Sequence, residues 1–295
     1  MERLCELVTV SRAGYYRQWA EKAPKEEEVA VRAAIQEIFL QHRRRYGRRP
    51  ITAELHRRGM QVNHKRVGRL MRLDNLLALQ RRRYVVTTNS KHHLEVSLNL
   101  AAHLQLTGIN QLWVADITYI RLRGEFVYLA IVLDRYSRCA VGWSLGRDLT
   151  VKLTLTALQR ALQQRRPPPG LVHHSDRGIQ YAADEYVRVL EQHGLIASMS
   201  RPANPYDNAA CERFMRTLKQ EEIYCTEYRD LEDLRRHMEQ FIDQYYNRQR
   251  LHSALGYQTP EEFERSLTTS ATPAARLSFS RHAEIYRSDA GVKPC

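Results

Sequence analysis

An ordered series of apolar patterns, beginning near residue 105, constrains the fold more than any other feature of the chain. The stretch "NQLWVADITYIRLRGEFVYLAIVLDRYSRCAVGWSL" holds three short runs rich in β-branched and aromatic residues. "RLRGE" and "DRYSR" separate them, which predicts an antiparallel meander. Residues 151–165 then carry a helical pattern, "GLVHHSD" (170–176) reads as a strand ending in a D-R-G turn, and "YAADEYVRVLEQHG" reads as a helix. "LIASMS" is another short strand, and helices follow from about 208 and about 230. Three strands, helix, strand, helix, strand, helix is an α/β order, in which helices can cover both faces of the sheet.

Three acids occupy particular places in that order. Asp116 lies inside the apolar strand "LWVADITYI". Asp is depleted in strands and costly to bury unpaired, so it needs a hydrogen-bonding partner or a cation. Asp176 ends the fourth strand at "HHSDRG", where open α/β sheets commonly meet ligands, although a turn or cap residue fits that position too. Glu212 opens a helix in "NPYDNAACERFMRTLK". Cys211, Phe214, Met215 and Leu218 form one apolar stripe on that helix, and Glu212 falls at its edge. Lys219 lies within about 20° of Glu212 two turns on, so both are expected to look out along one border, with Arg216 nearby. An i, i+4 ion pair between Glu212 and Arg216 on a surface helix is the simpler reading of Glu212 alone, worth roughly 0.2–0.5 kcal/mol.

Spacing does not decide between these readings, because 33 of the 295 residues are acidic. The combination of positions carries more weight. Three carboxylates brought together repel and raise each other's pKa unless cations neutralise them. Hard divalent ions with oxygen ligands, Mg²⁺ above all, suit such a set. Two ions about 3.5–4 Å apart can activate a water or a 3′-hydroxyl and stabilise the leaving oxygen of a phosphodiester.

The charge balance points to the same class of substrate. Net charge is +13, and residues 41–91 hold fifteen Lys or Arg against only Glu54 and Asp74, whereas residues 101–295 are nearly neutral. A polyanion is the fitting partner for that short module, since each cation placed on a phosphate releases a counterion. Within it, Pro50 opens a helix through Leu55 that stops at Gly59, and Asn63 is the expected N-cap of a second helix with Val67, Leu70 and Met71 inside. Helix, short Gly-containing turn, helix with an outer basic face is a helix-turn-helix pattern; a small three-helix bundle with a solvated basic face shares it. Before it, "EEEVAVRAAIQEIFLQH" (26–42) reads as a helix with acids in its first turn. "LCELVTVSRAGYYRQW" (4–19) reads as helix, turn, helix capped by Ser11, resembling the end of a larger unit.

The five cysteines are widely spaced with no C-x-x-C pair, which favours reduced thiols over a disulfide framework or zinc site. No window reaches the roughly 18 apolar residues of a membrane span. The start lacks the apolar core of a signal peptide, and a soluble intracellular protein is expected.

In order along the chain, "LWVADITYI", "VLDRYSRCAVGW", "HHSDRGIQY", "YDNAACERFMRTLKQEEIY" and "YYNRQRLHSALGYQTPEEF" closely resemble the integrase-type catalytic core of bacterial insertion-sequence transposases. More narrowly, the chain resembles the second-frame (OrfB-type) product of the large insertion-sequence family whose type member is numbered three. The likeness covers about residues 1–265. It implies an RNase H-like core, α/β with a mixed sheet flanked by helices, behind an all-α helix-turn-helix region. It also implies a D, D, E triad at Asp116, Asp176 and Glu212, acting both as catalytic residues and as ligands for Mg²⁺ or Mn²⁺, two ions per site. A Lys or Arg seven residues after the Glu corresponds to Lys219, expected to hold a terminal phosphate. The implied division is a partial helix-turn-helix at 1–22, a basic DNA-binding module at 26–77, a basic linker at 78–104, the core at 105–265, and a linker and tail at 266–295. Ala203 stands where the family usually has Gly before the last helix.

Double-stranded DNA, as terminal inverted repeats and target, is the implied substrate. A homo-oligomer is the expected active complex, with fusion to or association with an upstream-frame product, in the bacterial cytoplasm at the nucleoid. Arg43, Arg44, Arg45, Arg48, Arg49, Lys65, Arg66 and Arg69 are the expected DNA contacts of the module, joined by Arg177 and Arg216 in the core. A DNA-binding regulator without catalysis and a repair or RNA-directed nuclease are the alternatives.

Several further residues have competing readings. Asp134 is a fourth ligand or, more simply, a turn-forming residue before "RYSR". His173 and His174 alternate across a strand, so one is expected to point inward, and both read as structural. Arg177 holds a phosphate or fills its turn. Asp207 is the expected N-cap of the Glu212 helix. Thr259, Pro260 and Glu262 read as a capping box. Tyr245, Tyr246, Asn247 and His252 either touch DNA or pack. "TTSATPAA" (268–275) reads as a flexible linker.

Overall fold

The chain divides into two units, Met1–Leu79 and Gln80–Cys295. The computed structural model describes residues 26–76, 78, 98–101, 104–200 and 208–270. The expected partial helix-turn-helix at 1–22, most of the basic linker, the Ala203 turn, the Asp207 cap and the tail beyond 270 lie outside the described residues.

Among the described residues of the first unit, three helices enclose a small core. Helix α1 (Glu26–Gln41) begins with three glutamates, favourable at a helix N-terminus, and buries Val31, Ala34, Ile35, Ile38 and Phe39. Helix α2 (Arg48–Arg57) starts two residues before Pro50. Proline is tolerated there because first-turn N–H groups have no intrahelical acceptor. Gly59, at φ +82°, turns the chain beyond α2. Helix α3 (His64–Leu73) is capped as expected: the Asn63 side chain accepts from the Lys65 N–H at 2.8 Å. Its buried residues are Val67, Leu70 and Met71.

The second unit is built on a five-stranded sheet of order β3-β2-β1-β4-β5. Strands β1 (Leu112–Arg121), β2 (Phe126–Asp134) and β3 (Ala140–Gly146) form the antiparallel meander. Strands β4 (Val172–Ser175) and β5 (Ile196–Met199) add on the other side of β1, both parallel. The sheet is therefore mixed. Helix α4 (Val151–Arg165), a single turn α5 (Ile179–Ala182) and α6 (Asp184–Gln192) supply the crossovers. Helix α7 (Ala209–Glu221) and α8 (Leu231–Glu239) follow, and α9 (Pro260–Ser270) comes last.

The pleat of β1 feeds two cores. Leu112 and Val114 join Cys211, Phe214, Met215 and Leu218 of α7 on one face. Trp113 and Ala115 join Leu155, Leu158 and Ala161 of α4 and Tyr186 of α6 on the other. A sheet covered on both faces reads as near-continuous apolar runs, as the sequence does. Gly142 lets α4 settle onto β3: a Cβ there would stand 2.3 Å from the Ala157 carbonyl oxygen and 2.8 Å from Ala161.

Three local expectations need correction. His173 and His174 are both buried, because each sheet face has its own core: His173 meets the Tyr186 hydroxyl, and His174 bridges Ser198 and Ser200. The helix from 231 does not end as a simple α-helix but continues as a π-helical segment over Gln240–Tyr246. Part of the expected linker is helical, since α9 runs to Ser270. Its start is the expected capping box, with Thr259 N–H donating to Glu262 at 3.0 Å and Glu262 N–H to Thr259 Oγ1 at 3.2 Å.

Candidate active site

The parallel register of β1 and β4 brings the two aspartates together. Val114 pairs with His174, and Asp116 and Asp176 each lie two residues further along. Two residues along a strand return the side chain to the same face, so Asp116 shares the α7 face with Leu112 and Val114. Asp116 Oδ1 accepts from the Ile117 N–H at 2.8 Å, and Asp176 Oδ1 accepts from the Gly178 N–H at 3.0 Å. Asp176 thus stabilises its own turn while remaining at the carboxyl end of the sheet.

Helix α7 is tied to the same strand. The Asn208 side chain, at the N-cap position, donates across to the Ala115 carbonyl at 3.0 Å instead of capping its helix, and the Cys211 thiol donates to the Val114 carbonyl at 3.4 Å. Both ties land on the residues just before Asp116. They seat the first turn of α7, which carries Glu212, over that part of the strand. Sequence reasoning misses this use of Asn208, because an Asp-Asn pair before a helix reads simply as its cap.

The electrostatics report the grouping. Burial raises the Asp116 pKa to about 7, the Asp176 and Glu212 charges add to it, and the Ile117 N–H and Lys219 oppose it. Glu212 itself is exposed, and among the described residues it forms no ion pair, including the one to Arg216. Lys219 has the expected helical phase but lies deeper than expected. Its side chain is only 7% exposed, and its ammonium lies 4.9 Å from the Tyr119 ring centroid in a cation–π contact. Burial lowers its pKa, with Tyr119 and Asp116 opposing. Among the described residues no group of three His, Cys, Asp or Glu side chains is already set to hold a metal ion.

The other candidates have local surroundings of their own. Asp134 is fully buried and accepts from the N–H groups of Asn110, Tyr136 and Ser137 at 2.6–2.9 Å, which makes it the organiser of the β2–β3 turn. Arg177 donates from Nε to the Ser200 carbonyl at 2.8 Å, linking β4 to the end of β5. Tyr245, Tyr246, Asn247 and His252 are buried, and the Asn247 amide pairs with both the N–H and the carbonyl of Ala140 on the edge strand. Arg216 is exposed.

In the first unit Arg43, Arg44, Arg48, Arg49 and Lys65 are exposed and Arg45 is half-buried. Arg66 and Arg69 are engaged: Arg66 pairs with Glu27 at 2.9 Å and Glu28 at 3.8 Å, and Arg69 with Glu28 at 3.6 Å. Arg72 belongs with Lys65 and Arg69, exposed on the same outer face of α3. The i, i+4, i+7 spacing of these three residues was the signal that could have found it.

Residues 107–205 match the integrase core domain family, residues 193–260 a second integrase core domain family, and residues 25–84 the HTH-like domain family. The insertion element IS600 uncharacterized 31 kDa protein of Shigella sonnei is 39% identical over 264 residues, covering 88% of this chain and 97% of that protein. The transposase for insertion sequence element IS904 of Lactococcus lactis is 38% identical, covering 78% of this chain and 92% of that protein. Transposase InsF for insertion sequence IS3A of Escherichia coli K12 is 34% identical over 273 residues, covering 90% of this chain and 93% of that protein. Among solved structures, the HTLV-2 integrase catalytic core domain in complex with magnesium aligns with 54% of this chain and 98% of its own, at 15% identity and a TM-score of 0.41. With an integrase core domain behind an HTH-like domain, and this identity over most of its length, the chain belongs to the insertion-sequence transposases.

Proposed function

We propose that this chain is a DNA transposase whose Asp116, Asp176 and Glu212 carry out divalent-cation-dependent phosphodiester hydrolysis at element ends and 3′-hydroxyl strand transfer. The observation that supports it is the β1–β4 register that aligns Asp116 with Asp176, together with the reach of the Glu212 charge to Asp116. The donor set fits a hard cation such as Mg²⁺ or Mn²⁺. Its ligands are oxygens, and its central acid is held near neutrality by burial and like charge until a cation compensates.

When bound, a pair of such ions activates the attacking oxygen and stabilises the leaving one. Asp116 gives up its proton on binding, Asp176 contributes the second carboxylate, and Glu212 completes the set from α7. Lys219 offsets part of the negative charge and holds a terminal phosphate. Water attacks a phosphodiester at the element end, and the departing oxygen becomes a 3′-hydroxyl. That hydroxyl attacks a second phosphodiester in line, with no covalent protein intermediate. Residues 26–77 bind duplex DNA, residues 78–104 link them to the core, and residues 105–265 perform the chemistry. The active complex is a homo-oligomer in the bacterial cytoplasm, fused to or associated with the upstream-frame product.

Labelled terminal-repeat DNA tests this. Asp116→Asn and Glu212→Gln each abolish cleavage and joining while leaving DNA binding intact; full activity in either variant contradicts the assignment. A DNA-binding regulator without catalysis is the alternative reading. Binding in a gel shift without cation-dependent nicking by the parent chain selects it.

A further inference from the structure

We infer that Arg135, Arg138 and Arg213 form a phosphate-binding cluster that holds the backbone of a DNA strand on its way to the carboxylate site. This rests on the DNA-processing role proposed above, and it assigns binding residues outside the carboxylate set.

The first two arginines sit at either end of one rigid loop. The β2–β3 hairpin closes through Asp134 N–H to the Cys139 carbonyl at 2.9 Å and Arg138 N–H to the Asp134 carbonyl at 2.8 Å. The buried Asp134 carboxylate holds the loop's other N–H groups from inside. Arg138 has φ +62°, a left-handed conformation that favours glycine and is uncommon for a long side chain.

The third arginine comes from α7. Cys211 bonds to Val114, Leu133 shares a core with Cys211 and Phe214, and Arg135 N–H bonds to the Leu112 carbonyl at 2.9 Å. The loop therefore flanks the first turn of α7, where Arg213 is exposed. Burial lowers the Arg138 pKa, and the positive charges of Arg135 and Arg213 lower it further.

The cluster is uncompensated. Among the described residues none of the three arginines forms an ion pair. Arg147, Arg165, Arg235, Arg236, Arg248 and Arg250 of the same unit all pair with acids. Three neighbouring guanidinium groups without acid partners suit an anion with several oxygens, and guanidinium forks match phosphate geometry. Arg135 is level with Leu112, four residues along β1 from Asp116, which is roughly 13 Å at about 3.3 Å per residue. That distance is the axial rise of about four base pairs.

Salt titration of the full chain on a fluorescent terminal-repeat duplex tests the proposal. Removing one phosphate-bound cation makes the slope of log affinity against log salt shallower by about 0.9. The triple variant Arg135→Gln, Arg138→Gln, Arg213→Gln is expected to have a slope shallower by about two to three units, and an affinity at 0.1 M salt weaker by about ten-fold or more. The corresponding triple Lys variant is expected to recover most of the slope. A Gln triple variant that is folded and within two-fold of the parent in affinity and slope overturns the proposal. A parent chain that binds no DNA defeats the underlying transposase reading instead. If the triple variant fails to fold, Arg213→Gln on the exposed helix face decides: a slope shallower by about one unit supports the cluster, and an unchanged slope refutes it.

Discussion

At the residue scale Asp116 combines its proposed catalytic position with a thermodynamic cost. Its folded pKa, raised to about 7 mainly by burial, exceeds the unfolded value of about 3.9, so the folded state holds its proton more tightly. The associated stability is present below about pH 4 and is lost as pH rises through about 7. Above that pH the ionised acid costs the cation-free fold on the order of a few kcal/mol. Asp116→Asn is therefore expected to melt several degrees above the parent at pH 8 without divalent ions, and close to it at pH 4. Adding Mg²⁺ at pH 8 raises the parent's midpoint and leaves the variant's unchanged. Scanning calorimetry at the two pH values checks this, and a variant no more stable than the parent at pH 8 would count against it. In the sequence Asp116 stood out because it broke a local rule and Asp176 because it ended a strand, whereas Glu212 taken alone read as a surface acid. Lys219 was legible in phase only. Its depth depends on Tyr119, contributed by a strand some 100 residues away in sequence, which no helical pattern encodes.

At the element scale two packing arrangements make predictions. The first turn of α1 neutralises two arginines of α3 through Glu27 and Glu28. Exposed pairs of this kind are worth under about 1 kcal/mol, yet they hold Arg66 and Arg69 in competition with phosphate. Glu27→Gln combined with Glu28→Gln should tighten duplex binding a few-fold in low salt and steepen its salt dependence; fluorescence anisotropy reads both, and weaker binding contradicts the competition. The second is the approach of α4 to β3 at Gly142. A Val side chain there meets the backbone of Ala157 and Ala161, which cannot give way without lifting the helix. Gly142→Val should cost about 3 kcal/mol or more in urea unfolding; a loss below about 1 kcal/mol would show that the helix moves freely. Strands and helices were largely readable, because the apolar period changes cleanly at each boundary. The π-helical turns over Gln240–Tyr246 were not, since one extra residue per turn leaves the apolar pattern nearly intact. The helical residues 268–270 were hidden by a polar, small-residue composition that also suits a linker.

At the scale of the whole molecule, charge and chemistry are divided between different parts of the chain. Residues 41–91 carry most of the positive excess, while the carboxylates belong to a core with nearly balanced charge. That division was plain in the sequence, as was the order of strands and helices around the three acids. The local basic cluster on the β2–β3 loop was not, because a balanced total hides which arginines have acid partners and which do not. On the proposed function, Asp116, Asp176 and Glu212 serve one cation site. Iron-mediated backbone cleavage measures this most directly: Fe²⁺ with ascorbate and peroxide cuts the polypeptide beside the residues that bind it, and the fragments are located by mass spectrometry. Cuts are expected to cluster at residue 116 in β1, at 176 after β4 and at 212 in α7, all suppressed by excess Mg²⁺. Cuts that leave out any one of these three positions, or that persist in excess Mg²⁺, would contradict it.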